Sequence, residues 1–283
     1  MKQKISFALL VILATVCLAS CSSNTSKEGE ETESAEEVKT SAKIKGVEVS
    51  YSTDSTEMNG YIAYDQNKVG KRPGVLVIHE WWGHNEYTRE RADMLAELGY
   101  VALAVDMYGE GKVANHPDDA RKFMMSVMSN MGEGEARFKK ALELLKSNEN
   151  VDSEKIGVIG YCFGGSVALT MANAGYDIDA VAAFHSGVQL PIMPKEGIKA
   201  KVLVCNGAAD PFVSEESVVN YKSMMDSVGA DYTYISYEGA KHGFTNKGAD
   251  SLGVKFGMPL AYDENADEQS WEELKQLFAT ALN

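Results

Sequence analysis

Cysteine is scarce in this chain, with four among 283 residues, at positions 17, 21, 162 and 205. Those spacings build neither a zinc site nor a dense disulfide framework, so each thiol needs its own explanation. Basic charge is also short: 27 lysines and arginines face 41 aspartates and glutamates. The resulting net charge of −14 repels phosphate backbones and leaves no basic stripe, so no nucleic-acid partner is expected. No Gly-Lys-Ser/Thr phosphate loop occurs, and Gly109-Glu110-Gly111 lacks the third glycine and the strand-to-helix setting of a dinucleotide loop. No nucleotide cofactor is expected. His79 and His84 stand five positions apart, not the four that put two zinc ligands on one helix face, so no metal is expected either. What is present, 45% hydrophobic and 24% charged residues, suits one large globular domain.

The N-terminus is a separate matter. Lys2 and Lys4 precede an apolar run from Ile5 to Ala19, about fifteen residues and short of the roughly twenty that cross a bilayer. Residues 1–20 therefore read as an export signal. Its end, Leu18-Ala19-Ser20-Cys21, resembles the lipobox of bacterial lipoproteins, which implies removal of Cys17 and acylation of Cys21 as the first mature residue. Residues 21–42 are rich in Ser, Thr and Glu, with too few large apolar side chains to offset the entropy of ordering them. Between Lys27 and Glu37, the carboxylates of Glu28, Glu30, Glu31, Glu33, Glu36 and Glu37 are opposed by Lys27 alone, so mutual repulsion extends this tether away from an anionic membrane. Acyl chains attached to Cys21 hold a protein to lipid at about 0.8 kcal/mol per buried CH₂. The expectation is a lipid-anchored domain in the bacterial cell envelope, facing the periplasm or the outside. Ser22 is not the aspartate that favours inner-membrane retention, which points to the outer membrane.

From Lys43 to Asn283 short β-branched or aromatic runs alternate with longer helical segments, the rhythm of an α/β sheet with helical crossovers. Ile44 to Tyr51 and Met58 to Tyr64 read as an antiparallel edge hairpin. Gly74 to His79, Val101 to Val105, Ile156 to Ile159, Ala180 to Phe184, Val202 to Cys205 and Tyr232 to Tyr237 read as sheet strands, several apolar enough to be covered on both faces. Apolar residues at three and four spacing predict helices over Glu86–Leu98, His116–Ser129, Glu133–Lys146, Gly164–Ala174, Glu215–Val228 and Ala266–Leu282. The predicted fold class is α/β, a mostly parallel central sheet with helices on both faces.

The chemistry begins where strand Ile156–Ile159 runs into Gly160-Tyr161-Cys162-Phe163-Gly164-Gly165 and then a helix. Gly-x-Cys-x-Gly in that setting matches a nucleophile elbow with cysteine in place of serine. Glycines flank the nucleophile because the turn is tight and the helix packs too close for a β-carbon. Cys162 at a helix N-terminus sits where the macrodipole favours a thiolate and peptide N–H groups can hold an oxyanion. A base and an orienting acid then follow in the chain order nucleophile, acid, histidine. Asp210 follows the strand ending at Cys205, and His242 follows the strand ending at Tyr237, both beyond strand C-termini where open α/β sheets place their sites. Taken singly, Asp210 also suits an Asx-turn before Pro211 and His242 a loop hydrogen bond; their order relative to Cys162 makes the set specific. Cys205 reads as core, His185 as either a site-lining or a loop-bonding residue, and His116 as a helix start before Pro117.

Taken with His79-Glu80-Trp81-Trp82-Gly83 and Val105-Asp106-Met107-Tyr108-Gly109, these motifs resemble the dienelactone hydrolase family of the α/β-hydrolase superfamily over roughly Gly60 to Leu282. The resemblance implies an α/β-hydrolase fold, a Cys162–His242–Asp210 triad, and an oxyanion hole from the backbone N–H groups of Trp81 and Phe163. It also implies that Glu80 keeps the resting Cys162 a neutral thiol until substrate rearranges the site, which a nearby negative charge would favour. That role predicts slow alkylation of Cys162 at neutral pH, faster in Glu80→Gln. Family members acting on dienelactone grip its carboxylate with two arginines. Arg121 is the candidate for the first, and Asn246 stands at the second. Losing a bidentate donor there disfavours dienelactone itself and points to a neutral ester or lactone. Trp82, Tyr108, Phe212 and Phe244 are candidates for an acyl pocket. The alternatives are a membrane-tethered binding protein without turnover, and a thiol peptidase or acyltransferase using the same acyl-enzyme. The mixed acidic surface shows no apolar stripe, which points to a monomer.

Overall fold

The computed structural model describes residues 41–283. The signal segment, the lipidation at Cys21 and nearly all of the tether lie outside the described residues. Strands β1 (Ile44–Ser52), β2 (Glu57–Asp65), β3 (Arg72–Ile78), β4 (Val101–Val105), β5 (Val151–Tyr161), β6 (Ala180–Phe184), β7 (Lys201–Gly207) and β8 (Tyr232–Tyr237) form one sheet. Its spatial order is β1-β2-β4-β3-β5-β6-β7-β8. The first two strands pair antiparallel with Ile44 opposite Asp65, as the hairpin reading expects, and β2 also runs antiparallel to β4. Every later pairing is parallel.

Helices α1 (Glu86–Glu97), α2 (Pro117–Met128), α3 (Met131–Ser147), α4 (Phe163–Ala174), α5 (Glu215–Ser227), α6 (Ala249–Phe256) and α7 (Glu264–Ala281) complete the chain. Side chains alternate across a strand, so two distinct cores form on the two faces of the sheet. Leu76, Ile78, Val158 and Val181 face one way and pack with Phe138 and Leu145 of α3, Val167 and Leu169 of α4, and Tyr221 of α5. Their strand neighbours Val75, Val77, Ile159 and Ala182 face the other way, against Leu95 of α1 and Leu274 and Phe278 of α7. All residues of β4 and β6 are buried, which explains why these strands are continuous apolar runs rather than alternating ones. The predicted layered architecture is therefore the observed one.

Two local differences matter. Strand β5 begins five residues before Ile156, because Val151 and Asp152 pair with Arg72 and Pro73 ahead of a register shift at Pro73/Gly74. Helix α6 has no counterpart in the periodicity reading. It is eight residues long, begins after Gly248, ends at Gly257 in the left-handed conformation, and buries only Ala249 and Gly253. Gly253 faces the carbonyl of Leu260 so closely that a β-carbon would lie 2.7 Å from its oxygen. Docking, not propensity, holds this helix in place. Elsewhere the local rules operate: the side chain of His116 accepts from Asp118 N–H at the start of α2, ahead of Pro117.

The chain passes from β3 to β4 on one side and returns to β5 on the other, so the connections diverge at the C-terminal ends of β3 and β5. Open α/β sheets leave a crevice at such a point. Glu80 and Trp81 follow β3 and Cys162 follows β5, so the topology itself delivers them to one place.

Candidate active site

Cys162 joins β5 directly to α4 with φ 54° and ψ −116°, a conformation non-glycine residues avoid, at a cost on the order of 1–3 kcal/mol. Close packing imposes it. A β-carbon on Gly160 would lie 2.2 Å from the carbonyl oxygen of Gly164, and one on Gly164 would lie 2.3 Å from that of Ile78 in β3. The turn is fastened by Cys162 N–H donating to Phe184 O at 3.0 Å. No side chain caps α4, so its first-turn N–H groups are left for another acceptor. The Cys162 side chain is half-buried and free of any disulfide. Cys205 is also free; it is buried in β7, accepts from Tyr237 Oη at 3.6 Å, and burial pushes its thiol up to about 12.

His242 lines the same small cavity as Cys162. Its Nδ1–H donates to Asp210 Oδ2 at 2.7 Å, and the other carboxylate oxygen, Oδ1, accepts from Phe212 N–H at 2.8 Å. The Asp210 side chain is fully sequestered. Backbone bonds from Ala208 to Tyr237 and from Ala209 to Ala240 sew the aspartate loop to the histidine loop, so the pair moves as one piece. A second seam, Ala261 N–H to His242 O at 3.2 Å, ties the histidine to the segment after α6. Burial alone would lower the His242 pKa. The neighbouring Cys162 and the Asp210 carboxylate bonded to Nδ1 outweigh that and push it up to about 10. His185, fully buried beneath it at a ring distance of 5.2 Å, is held neutral mainly by burial and bonds Thr245 Oγ1 at 2.8 Å. It hydrogen-bonds a loop and packs under the site.

Glu80 and Trp81 form the facing wall. His79 Nδ1–H donates to the Glu80 carbonyl at 2.6 Å, and Gly83 N–H donates to it at 3.2 Å. A peptide is planar and trans, so anchoring that carbonyl fixes the opposite direction of Trp81 N–H. His79 Nε2 accepts from Met107 N–H at 3.2 Å, which sets the ring's tautomer and orientation. Tyr108 secures the next peptide by donating its hydroxyl to the Trp81 carbonyl at 3.0 Å. The Glu80 carboxyl is buried, which raises its pKa, opposed by its bond from Asn246 and by the charge of His242. Asn246 Nδ2 donates to Glu80 Oε2 at 2.7 Å. Among the described residues no hydrogen bond joins Glu80 to Cys162, though both line one cavity.

Glu80, Trp81, Trp82, Cys162, His242, Gly243, Asn246, Ala249, Leu252 and Leu260 line a small cavity of about 10 Å³. Trp82 is one of the lining residues. Phe212 is half exposed and stands edge-on to the His242 ring at 5.0 Å, at the rim. Tyr108 and Phe244 do not line the cavity: Tyr108 packs on His79 and Phe163 beneath the Trp81 carbonyl, and Phe244 is fully buried against His185 and Tyr237. Arg121 is exposed on α2 and is not in the cavity lining. Gly243, Ala249, Leu252 and Leu260 also line the cavity without having been candidates from the sequence, because nothing local marks a glycine-flanked segment as a wall. A larger cavity of about 550 Å³ lies behind Asn246, between α1 and α7, and contains none of the elbow or histidine groups. Among the described residues no cluster of three or more His, Cys, Asp or Glu side chains is arranged to hold a metal.

A mostly parallel sheet with helices on both faces and an elbow above its middle strands is the α/β-hydrolase fold. The chain belongs to the dienelactone hydrolase family, whose sequence profile matches residues 58–282. It is 35% identical over 207 residues to Protein usf of Aquifex pyrophilus, covering 71% of this chain and 88% of that protein. A putative carboxymethylenebutenolidase of Aquifex aeolicus is 29% identical over 242 residues, covering 84% of this chain and 99% of the relative. The solved structure named m3DLH superposes with a TM-score of 0.80 at 34% identity, over 85% of this chain and 99% of its own. The protein is thus a dienelactone hydrolase-like hydrolase.

Proposed function

We propose that the protein hydrolyses small neutral esters or lactones through a thioester on Cys162. The observation that carries this reading is the strained elbow cysteine facing a histidine whose far nitrogen is bonded to the buried Asp210. His242 takes the thiol proton, and the sulfur attacks the substrate carbonyl. The oxyanion is held by the Trp81 and Phe163 N–H groups, a donor pair supported by the anchored Glu80–Trp81 peptide and the uncapped start of α4. The leaving alkoxide collects the proton from His242. Water, deprotonated by the same imidazole, then releases the acid, while Asp210 orients the ring and stabilises its charged form.

The cavity limits the substrate. Its walls are mostly apolar, it is narrow, and no arginine lines it. A short acyl group with no carboxylate suits those walls. Assays of p-nitrophenyl acetate, butyrate and octanoate beside neutral and carboxylate-bearing lactones test this. The short neutral substrates are expected to exceed the octanoate and the anionic lactone in kcat/KM by about tenfold or more. A preference for the long chain or for the carboxylate would reverse the reading.

We also infer from the lipobox-like Leu18-Ala19-Ser20-Cys21 that the domain is held at the cell envelope by acylated Cys21, with the acidic tether as spacer. Fractionation of cells checks it: Cys21→Ser is expected to move the protein out of the membrane fraction, and unchanged membrane association would reject the anchor.

A further inference from the structure

We propose that His185 is a positioning residue for His242, a fixed ring set edge-on against the catalytic imidazole that keeps it aimed into the cavity shared with Cys162. This rests on the role given to His242 above.

The backbone carries His185 to a place few side chains would take. It follows β6 with φ 39°, a left-handed conformation that non-glycine residues avoid. Its N–H donates to Cys205 O at 2.8 Å, and Asn206 grips the next residue from both sides: Ser186 N–H donates to Oδ1 at 2.7 Å and Nδ2 donates to Ser186 O at 3.0 Å. Such strain persists only where the surroundings over-determine it, and here they deliver a fully buried ring to the underside of His242. The two rings meet at 5.2 Å with their planes 69° apart, and Phe212 meets the same imidazole edge-on at 5.0 Å. Asp210 pins His242 at Nδ1 alone, which leaves the ring free to pivot about that bond. Contact with His185 and Phe212 removes the freedom.

Thr245 holds His185 in turn. Its Oγ1 lies 2.8 Å from His185 Nε2 and 2.6 Å from Tyr87 Oη, and its carbonyl accepts from Arg91, which also donates to Asp267 Oδ1. His185 Nδ1 is buried with no partner. Hydrogen on Nδ1 would therefore be a buried donor without an acceptor, so the hydrogen belongs on Nε2 and is donated to Thr245 Oγ1. Thr245 then donates to Tyr87 Oη. Tyr87 lines the larger cavity of about 550 Å³, where water can accept its proton. A second proton on His185 would strand the same Nδ1–H and set a positive charge against His242 and near Arg91 of α1. Nothing nearby offsets that charge: among the described residues no carboxylate bonds either nitrogen, Asp210 reaches the ring only through His242, and Tyr161 of β5 is a phenol that burial keeps protonated. An uncharged support matters because His242 becomes an imidazolium during the reaction, and a second cation beneath it would oppose that step.

Nitrogen-15 NMR of the histidine rings in the substrate-free protein, assigned by through-bond correlations, gives the first test. His185 is expected to stay in the neutral Nε2–H form from about pH 5 to about pH 9. Hydrogen on Nδ1, or a titration within that range, overturns the proposal, and the measurement needs no variant to fold. Kinetics give the second. Thr245→Val keeps the side-chain shape but removes the acceptor for His185; it should lower kcat for a short ester by about tenfold or more and change KM by less than about twofold. Thr245→Ser keeps the hydroxyl and should bring kcat back to within about threefold of wild type. Full kcat in Thr245→Val, a loss that falls on KM instead, or no recovery in Thr245→Ser overturns the proposal. The cysteine mechanism fails separately, by hydrolysis persisting in Cys162→Ala, and that outcome leaves the His185 spectrum as it was.

Discussion

Cys162→Ala is expected to reduce kcat for a short ester by a factor on the order of 10⁴ or more, leaving only what binding and the oxyanion donors supply. The size follows from the role. A nucleophile that forms the acyl-enzyme cannot be partly replaced, because its partners act as a unit with it and keep little catalytic value alone. The variant also isolates chemistry from folding. Alanine retains the β-carbon at φ 54°, so the strain at the elbow is the same in both proteins, and the half-buried sulfur contributes little packing. Steady-state rates of both proteins beside their thermal melting curves make the check. Hydrolysis surviving at a tenth of the wild-type rate, with an unchanged melting temperature, would assign the reaction to another group.

The second large effect is structural. Gly164→Ala should lower stability by more than about 3 kcal/mol, read as a fall in the urea midpoint or as loss of soluble protein. A methyl group there would stand 2.3 Å from the carbonyl oxygen of Ile78 and 2.6 Å from that of His79. Both are backbone atoms of the β3 end, so no side chain can swing aside. Relief requires lifting α4 from β3, which would also part the Phe163 and Trp81 peptides. Gly132→Ala provides the contrast within the same protein. It sits in the first turn of α3 with its nearest neighbour, Asn130 Oδ1, at 3.9 Å, and should be neutral or stabilising by about 0.5 kcal/mol. Equal behaviour of the two variants would remove close packing as the reason for the elbow glycines.

The positions of the aromatic residues show where pattern reading stops. Trp82, Tyr108 and Phe244 each follow a strand or adjoin a catalytic motif, and in sequence they look alike. In the fold Trp82 lines the cavity, Tyr108 supports the Trp81 carbonyl from below, and Phe244 fills the core under His185. Burial of a ring is decided by what covers it, and the cover arrives from distant chain segments. Arg121 teaches the same point from the other side: its helix is predicted within a residue at each end, yet the guanidinium lies on the solvent face.

The sequence by itself determined the layered α/β architecture, the edge hairpin, the elbow at Gly160 to Gly165 and the order in which Cys162, Asp210 and His242 arrive at strand ends. These are local properties: two-residue alternation, continuous apolar runs, three-and-four spacing and glycines beside a tight turn all act between near neighbours in the chain. The tertiary structure alone decided that α6 and Leu260 wall the cavity and that Asn246 faces Glu80. That last bond joins residues 166 positions apart. No propensity or period encodes such a contact, because its energy exists only after the sheet has brought the two loops together.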